Sequence, residues 1–177
     1  MITPELTACF TGHRPSKLPG GYDYMSKENI KLKYKIENII LELIAGGTKR
    51  FLCGGAIGVD QMACEILLDL RDNGCDIYIE LAIPFEEQYI KWQTKNKQIH
   101  QNHIDRVDKI TYVDCIREYQ CTNNIGKYDV RKLNLRNKYM VDNSDIVVAI
   151  WTGESGGTAD CVKYATQKNK KIITISP

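Results

Sequence analysis

No run of apolar residues in this chain approaches the roughly 18 to 20 that a helix needs to cross a bilayer, so no membrane span is expected. The amino terminus, "MITPELTACF", lacks the basic start and long apolar run of a secretory leader. A soluble, cytoplasmic protein is the expectation. Charge of one sign is also missing: 24 Lys and Arg against 22 Asp and Glu leave a formal net charge of +2. The two signs are interspersed and form no basic stripe, which disfavours a nucleic-acid partner held by electrostatics. The seven cysteines (Cys9, Cys53, Cys64, Cys75, Cys115, Cys121 and Cys161) contain no C-x-x-C pair. Zinc sites want paired spacings, so reduced, mostly structural thiols and no metal are expected. Neither G-x-G-x-x-G nor G-x-x-x-x-G-K-[ST] occurs at a strand-to-helix turn, so NAD dehydrogenases and P-loop enzymes find no support, and no cofactor is expected.

What is present is alternation. Short apolar runs, "LTACFTG", "RFLCGG", "IYIELAIP", "KITYV", "DIVVAIW" and "KKIITISP", read as strands. Longer amphipathic stretches separate them. The first carries Leu32, Ile36, Ile39, Ile40 and Leu43 on one helical face, with Ser26 as N-cap and Gly46-Gly47 as stop. The second carries Ala63, Ile66, Leu67 and Leu70. A polar helix is expected from about Glu86 to Asp105, another near Val130 to Asp142, and a last one from about Thr158 to Gln167. Six strands alternating with five helices predict an α/β fold: a Rossmann-like three-layer sandwich with a mostly parallel central sheet. The length of 177 residues suits one domain covering 1–177.

In an open parallel sheet, ligands bind beyond the carboxyl ends of the strands. Those ends here read "TGHRP", "CGGAIGVD", "IPFEEQ", "VDC" and "WTGESGGT", whereas the opposite ends are ordinary polar turns. Glycines and hydroxyls therefore gather on one edge. Gly54, Gly55 and Ala56 form one strand-to-helix turn, and Ser155, Gly156, Gly157 and Thr158 another. Unpaired amides at helix starts attract anions, and glycine allows close approach. Two such cradles on one edge suit a phosphate-bearing ligand. Thr11, Gly12, His13 and Arg14 end the first strand. Arg14 suits bidentate phosphate contacts, and His13 either hydrogen-bonds a ligand or exchanges a proton. Trp151 ends a strand beside the cleft, where it packs on a base or in the core. His100 and His103 lie one helical turn apart, but their surroundings read as a solvated helix, which argues against a metal. The segment Arg117 to Asp129 is either a lid stacking Tyr119 or Tyr128 on a base, or a surface loop.

"CFTGHRP", "FLCGGAIGVDQMACEILLDL", "LAIPFEEQYIKW", "RNKYMVDNSDIVVAIWTGESGGT" and "VKYA", spread over nearly the whole chain, closely resemble the SLOG superfamily, in particular its YpsA-like branch. The resemblance implies a Rossmann-like domain that binds a nucleotide or NAD-derived molecule, such as ADP-ribose or cyclic ADP-ribose, at the glycine turns. It also implies self-association as a homo-oligomer. It supplies no reaction. The LOG phosphoribohydrolases of the same superfamily carry an Arg-Lys pair and a P-G-G-x-G-T-x-x-E turn. This chain keeps Arg136, but has Asn137 for the lysine and Cys161 for the catalytic glutamate. A neutral thiol cannot replace that carboxylate, and only Asp60 or Glu154 offers a substitute. The expectation is therefore binding, for sensing or sequestration. The alternative is a hydrolase acting on an N-glycosidic or phosphate bond, its catalytic residues unassigned. Asp60 and Arg136 complete the expected ligand contacts. Single-stranded nucleic-acid binding, as in DprA-like proteins of this fold, is the least favoured class.

Overall fold

The computed structural model describes residues 5–177. Residues 1–4, which begin the stretch read as lacking a leader, lie outside the described residues. Six strands, β1 (Leu6–Gly12), β2 (Thr48–Cys53), β3 (Tyr78–Ile83), β4 (Lys109–Tyr112), β5 (Ile146–Ile150) and β6 (Lys171–Ile175), form one sheet in the order β4-β3-β2-β1-β5-β6. Every neighbouring pair is parallel. Helices α1 (Lys27–Ala45), α2 (Val59–Asp72), α3 (Thr94–Arg106), α4 (Val130–Asp142) and α5 (Gly157–Gln167) connect them. The three-layer, Rossmann-like α/β expectation is what the fold shows.

The alternation of side chains along each strand splits the core in two. Ala8 and Phe10 of β1, with Ile146, Val148 and Ile150 of β5, meet Leu32, Ile36 and Ile40 of α1 and Met62, Ala63 and Leu67 of α2. Cys9 and Val147 point the other way, onto Tyr139, Met140 and Val141 of α4 and Cys161 and Ala165 of α5. Burying a side chain of this size contributes about 1.5–3 kcal/mol, so both layers of helices are held by the strands' period of two.

The helix ends follow local chemistry. The Ser26 hydroxyl accepts from the Asn29 amide, and Gly46 closes α1. Gly47 follows at φ +93°, a conformation that only glycine adopts without cost. The long helix expected from Glu86 is broken: a 3-10 turn at Glu86–Tyr89 precedes α3, which starts at Thr94.

Packing overturns one expectation and decides between two alternatives at another place. His100 and His103 are buried, not solvated, on α3. The ring of His100 lies against Tyr89 and Trp92, with centroids 5.3 Å away in each case, and burial lowers its pKa to about 4. Among the described residues, no group of three metal-ligating side chains forms. The segment from Arg117 to Asp129 is no lid over a base, because Tyr119 packs edge-on against Tyr139 and donates to Asp142 Oδ2 at 2.9 Å. A buried ion pair pins the rest of it: Lys132 Nζ reaches Asp114 Oδ2 at 2.7 Å and the carbonyls of Asn124 and Lys127. Tyr128 meets Phe85 edge-on instead of facing the cleft. Cys9, Cys53, Cys64 and Cys161 are buried free thiols. No helix of the described residues is long and apolar enough to cross a membrane.

Candidate functional site

The chain moves outward from β1 through β2, β3 and β4, then returns to the other side of β1 for β5 and β6. The direction of winding reverses between β1 and β5. At such a switch point the two following loops splay apart and leave a crevice. A cavity of about 430 Å³ occupies that crevice, within the roughly 300–1,000 Å³ typical of small-molecule sites. It is lined by Thr11, Gly12, His13 and Arg14 after β1, and by Ala56, Ile57 and Asp60 at the start of α2. Arg136 of α4 and Ser155, Gly156, Gly157 and Thr158 at the start of α5 complete it. Residues separated by more than a hundred positions thus share one hollow.

The two glycine turns, alike in sequence, do different work. At α5 no side chain caps the leading amides, and Gly156, at φ +138°, opens the helix toward the cavity. Nothing lies within 4 Å of a Cβ placed on Gly157. An anion placed at such a helix start would gain roughly 0.3–1 kcal/mol per charge from the helix dipole alone and up to about 2 when partly buried.

Protein groups already take three amides of the turn before α2. The Ala56 amide donates to Asp60 Oδ2 at 3.3 Å, the Val59 amide to the His13 carbonyl at 3.4 Å, and the Gln61 amide to the Ala56 carbonyl at 3.2 Å. Gly54 and Gly55 are buried and do not line the cavity. A Cβ on Gly54 would lie 1.9 Å from Arg136 Nη1, and one on Gly55 would point at Leu81. These glycines make room for a guanidinium and a core leucine. Of the expected second phosphate grip, Gly54 and Gly55 are therefore corrected, and Ala56 alone reaches the cavity, with its amide turned to Asp60. Trp151 is corrected too: it lies outside the lining, where its indole nitrogen donates to the Glu154 carbonyl at 2.7 Å and so shapes the loop.

Arg136 and Asp60 form the floor. The guanidinium Nη1 donates to the Gly54 carbonyl and lies 3.3 Å from Asp60 Oδ2, while Nε donates to Asn137 Oδ1 at 2.9 Å. Both side chains are more than nine-tenths buried. Burial depresses the Arg136 pKa and the Asp60 charge raises it. Asn137 in turn reaches the Gly157 carbonyl at 3.5 Å, tying the floor to the α5 turn.

His13 bridges the two loops of the switch point. The Thr152 amide donates to His13 Nε2 at 3.2 Å, so that nitrogen is the unprotonated one, and the Thr152 hydroxyl sits 2.9 Å from it. Burial and the nearby Lys17 charge lower the imidazole pKa. A histidine held this way clamps loops together, and its Nε2 is not free to take a proton from a ligand. Cys161, at the LOG glutamate position, is buried, and its thiol pKa is pushed up to about 11 by burial. It is an inert apolar plug.

Sequence reasoning missed Lys17. Its ammonium lies 3.2 Å from both the Glu154 carboxylate and the Ser155 carbonyl, over the mouth of the α5 cradle. Its position three residues after Arg14, just past the strand end, was the available signal. Asn134 and Asn137 also line the cavity. Position 137 had registered only as a departure from the LOG pair.

Fold and site together define a Rossmann-like protein with one cleft at the topological switch point. The family model described as the YspA SLOG family (YpsA) matches residues 8–176, and the chain belongs to that family. It is 35% identical over 138 residues to the "Uncharacterized SPbeta prophage-derived protein YoqJ" of Bacillus subtilis (strain 168), covering 77% of this chain and 81% of that protein. To the "UPF0398 protein YpsA" of the same organism it is 22% identical over 162 residues, covering 91% and 84%. Among solved structures, it superposes on DNA processing protein A from Helicobacter pylori, described for its single-stranded DNA binding mode, with a TM-score of 0.64 and 17% identity over 97% of this chain and 66% of that one. Streptococcus pneumoniae DprA gives a TM-score of 0.64 at 13% identity over 98% of this chain and 51% of that one. Those two likenesses concern the fold.

Proposed function

We propose that this protein binds a phosphate-bearing nucleotide in the switch-point cleft and holds it without cleaving it. The observation that carries this is the uncapped start of α5 opening into the same cavity as Arg14, Lys17 and the buried Arg136. A phosphate would sit on the Gly157 and Thr158 amides, with Arg14 and Lys17 closing over it. Val130 and Leu133, on another wall, offer apolar surface for a base. An NAD-derived signal of the ADP-ribose or cyclic ADP-ribose type is the finer candidate, for sensing or sequestration. Homo-oligomerisation belongs to the same proposal.

Holding is favoured over cutting because the candidate catalytic groups are otherwise engaged. His13 Nε2 accepts from Thr152, Asp60 and Glu154 are paired with Arg136 and Lys17, and Cys161 is buried. A second reading, single-stranded nucleic acid in the same cleft, is supported by the shape shared with the DprA structures. Calorimetry with nucleoside mono- and diphosphates, ADP-ribose and short DNA and RNA oligomers separates them. Binding of a mononucleotide, with chromatography showing it intact afterwards, supports the proposal. Silence from every mononucleotide at millimolar concentration removes it, and binding by oligomers alone installs the second reading.

A further inference from the structure

One carboxylate oxygen at the bottom of the cleft is left over. Asp60 spends Oδ2 on the Ala56 amide and on Arg136 Nη1. Its Oδ1 has no protein partner among the described residues, and neither does Arg136 Nη2. Both residues line the cavity, and neither free atom is among the fully occluded polar atoms, so solvent in the cleft reaches them. The floor thus offers a negative acceptor beside a cationic donor, on side chains whose other bonds fix them in place.

Three kinds of ligand group could meet that pair. A phosphate is repelled by Oδ1 and has the α5 cradle available. A metal ion would want more than one carboxylate, and no metal-ligating group of three exists among the described residues. A neutral group that both donates and accepts satisfies both atoms. Position decides which such group it is. Arg136 and Asn137 are consecutive, about 3.8 Å apart at Cα, and Asn137 reaches Gly157 at 3.5 Å. The floor pair therefore shares one cavity with the α5 turn and is linked to it through Asn137, as the sugar of a nucleotide is linked to its phosphate. Vicinal hydroxyls each donate and accept, which matches it.

We infer that Asp60 Oδ1 and Arg136 Nη2 read the ribose cis-diol of the bound nucleotide, which makes the cleft selective for ribonucleotides over deoxyribonucleotides. The inference rests on the nucleotide-binding proposal above and adds the sugar to it. A deoxy ligand leaves the buried carboxylate oxygen without a donor. Hydrogen bonds to charged groups of this kind set the penalty at about tenfold to a hundredfold in affinity.

The test is calorimetry on the full chain with the four ribonucleoside 5′-monophosphates, their 2′-deoxy and 3′-deoxy counterparts, ribose 5-phosphate and 2-deoxyribose 5-phosphate. At least about tenfold weaker binding of the deoxy forms is expected, whatever the base. Equal affinity for ribo and deoxy forms overturns the diol subsite and leaves the nucleotide-binding proposal standing. Affinity that follows the base and ignores the sugar assigns the pair to a base edge and overturns it too. Binding of none of them removes both claims. In Asp60→Asn, the ribo-to-deoxy ratio should fall toward one, which a purely structural role, weakening both ligands alike, would not produce. Should that variant fail to fold, the wild-type ratio alone decides.

Discussion

Replacing Gly54 by alanine tests the packing beneath the cleft. The added Cβ would lie 1.9 Å from Arg136 Nη1, and 2.5 Å from both Arg136 Cζ and Asp60 Oδ2. Arginine tips usually swing aside at little cost. This one is tied at Nη1 to the Gly54 carbonyl and at Nε to Asn137. Moving it abandons Asp60 in a buried site. Overpacking a core costs about 1–3 kcal/mol, and breaking a buried ion pair about 3–5, but the cleft gives the guanidinium somewhere to go. A loss of about 3 kcal/mol is expected, or roughly 6–12 °C in melting temperature for a chain of this size. Gly157→Ala is the control: its Cβ meets nothing within 4 Å and it opens a helix, so stability should stay within about 0.5 kcal/mol. Thermal melts followed by circular dichroism compare the three proteins. A Gly54→Ala protein melting within about 2 °C of the parent would refute the pinned floor.

Acid should weaken the fold before carboxylates begin to titrate. The His100 pKa falls from 6.5 to about 4 on folding. Between those values the unfolded chain binds a proton that the folded one refuses. Stability present above pH 6.5 is therefore lost progressively down to about pH 4, by about 3 kcal/mol, and His13 acts in the same direction. Urea unfolding at several pH values checks this, and His100→Gln should flatten most of the slope; an unchanged slope would assign it elsewhere. Cysteine alkylation at pH 8 gives another check. Exposed Cys115 should react in the native protein, slowed because desolvation and the neighbouring Asp114 raise its thiol pKa, and buried Cys161 only after denaturant is added, as peptide mass spectrometry would show. Rapid labelling of Cys161 in the native protein would mean that the core layer under α5 opens.

Much of the architecture was legible because it is local. A Ser26 cap, a Gly46-Gly47 stop and apolar residues at helical spacing state their own geometry within a few positions. The apolar runs at β1 and β5 read as strands, and the fold sends their alternate residues to opposite layers. The polar stretch from Glu86 was harder. The side chains of Gln88, Asn96, His100 and His103 are buried there, and composition alone made them look solvated.

The sequence by itself determined the order of strands and helices and the edge on which glycines, hydroxyls and Arg14 gather. Hydrophobic period, caps and turn residues act over a few neighbours, and those are on view in a one-dimensional string. Tertiary structure decided which of two near-identical Gly-Gly turns keeps its amides free. It also made His13 a clamp on Thr152, 139 positions away, and seated Arg136 against Asp60 across 76. Those outcomes depend on which distant groups meet when the sheet closes, since a buried charge or amide settles on whatever partner the fold brings within reach.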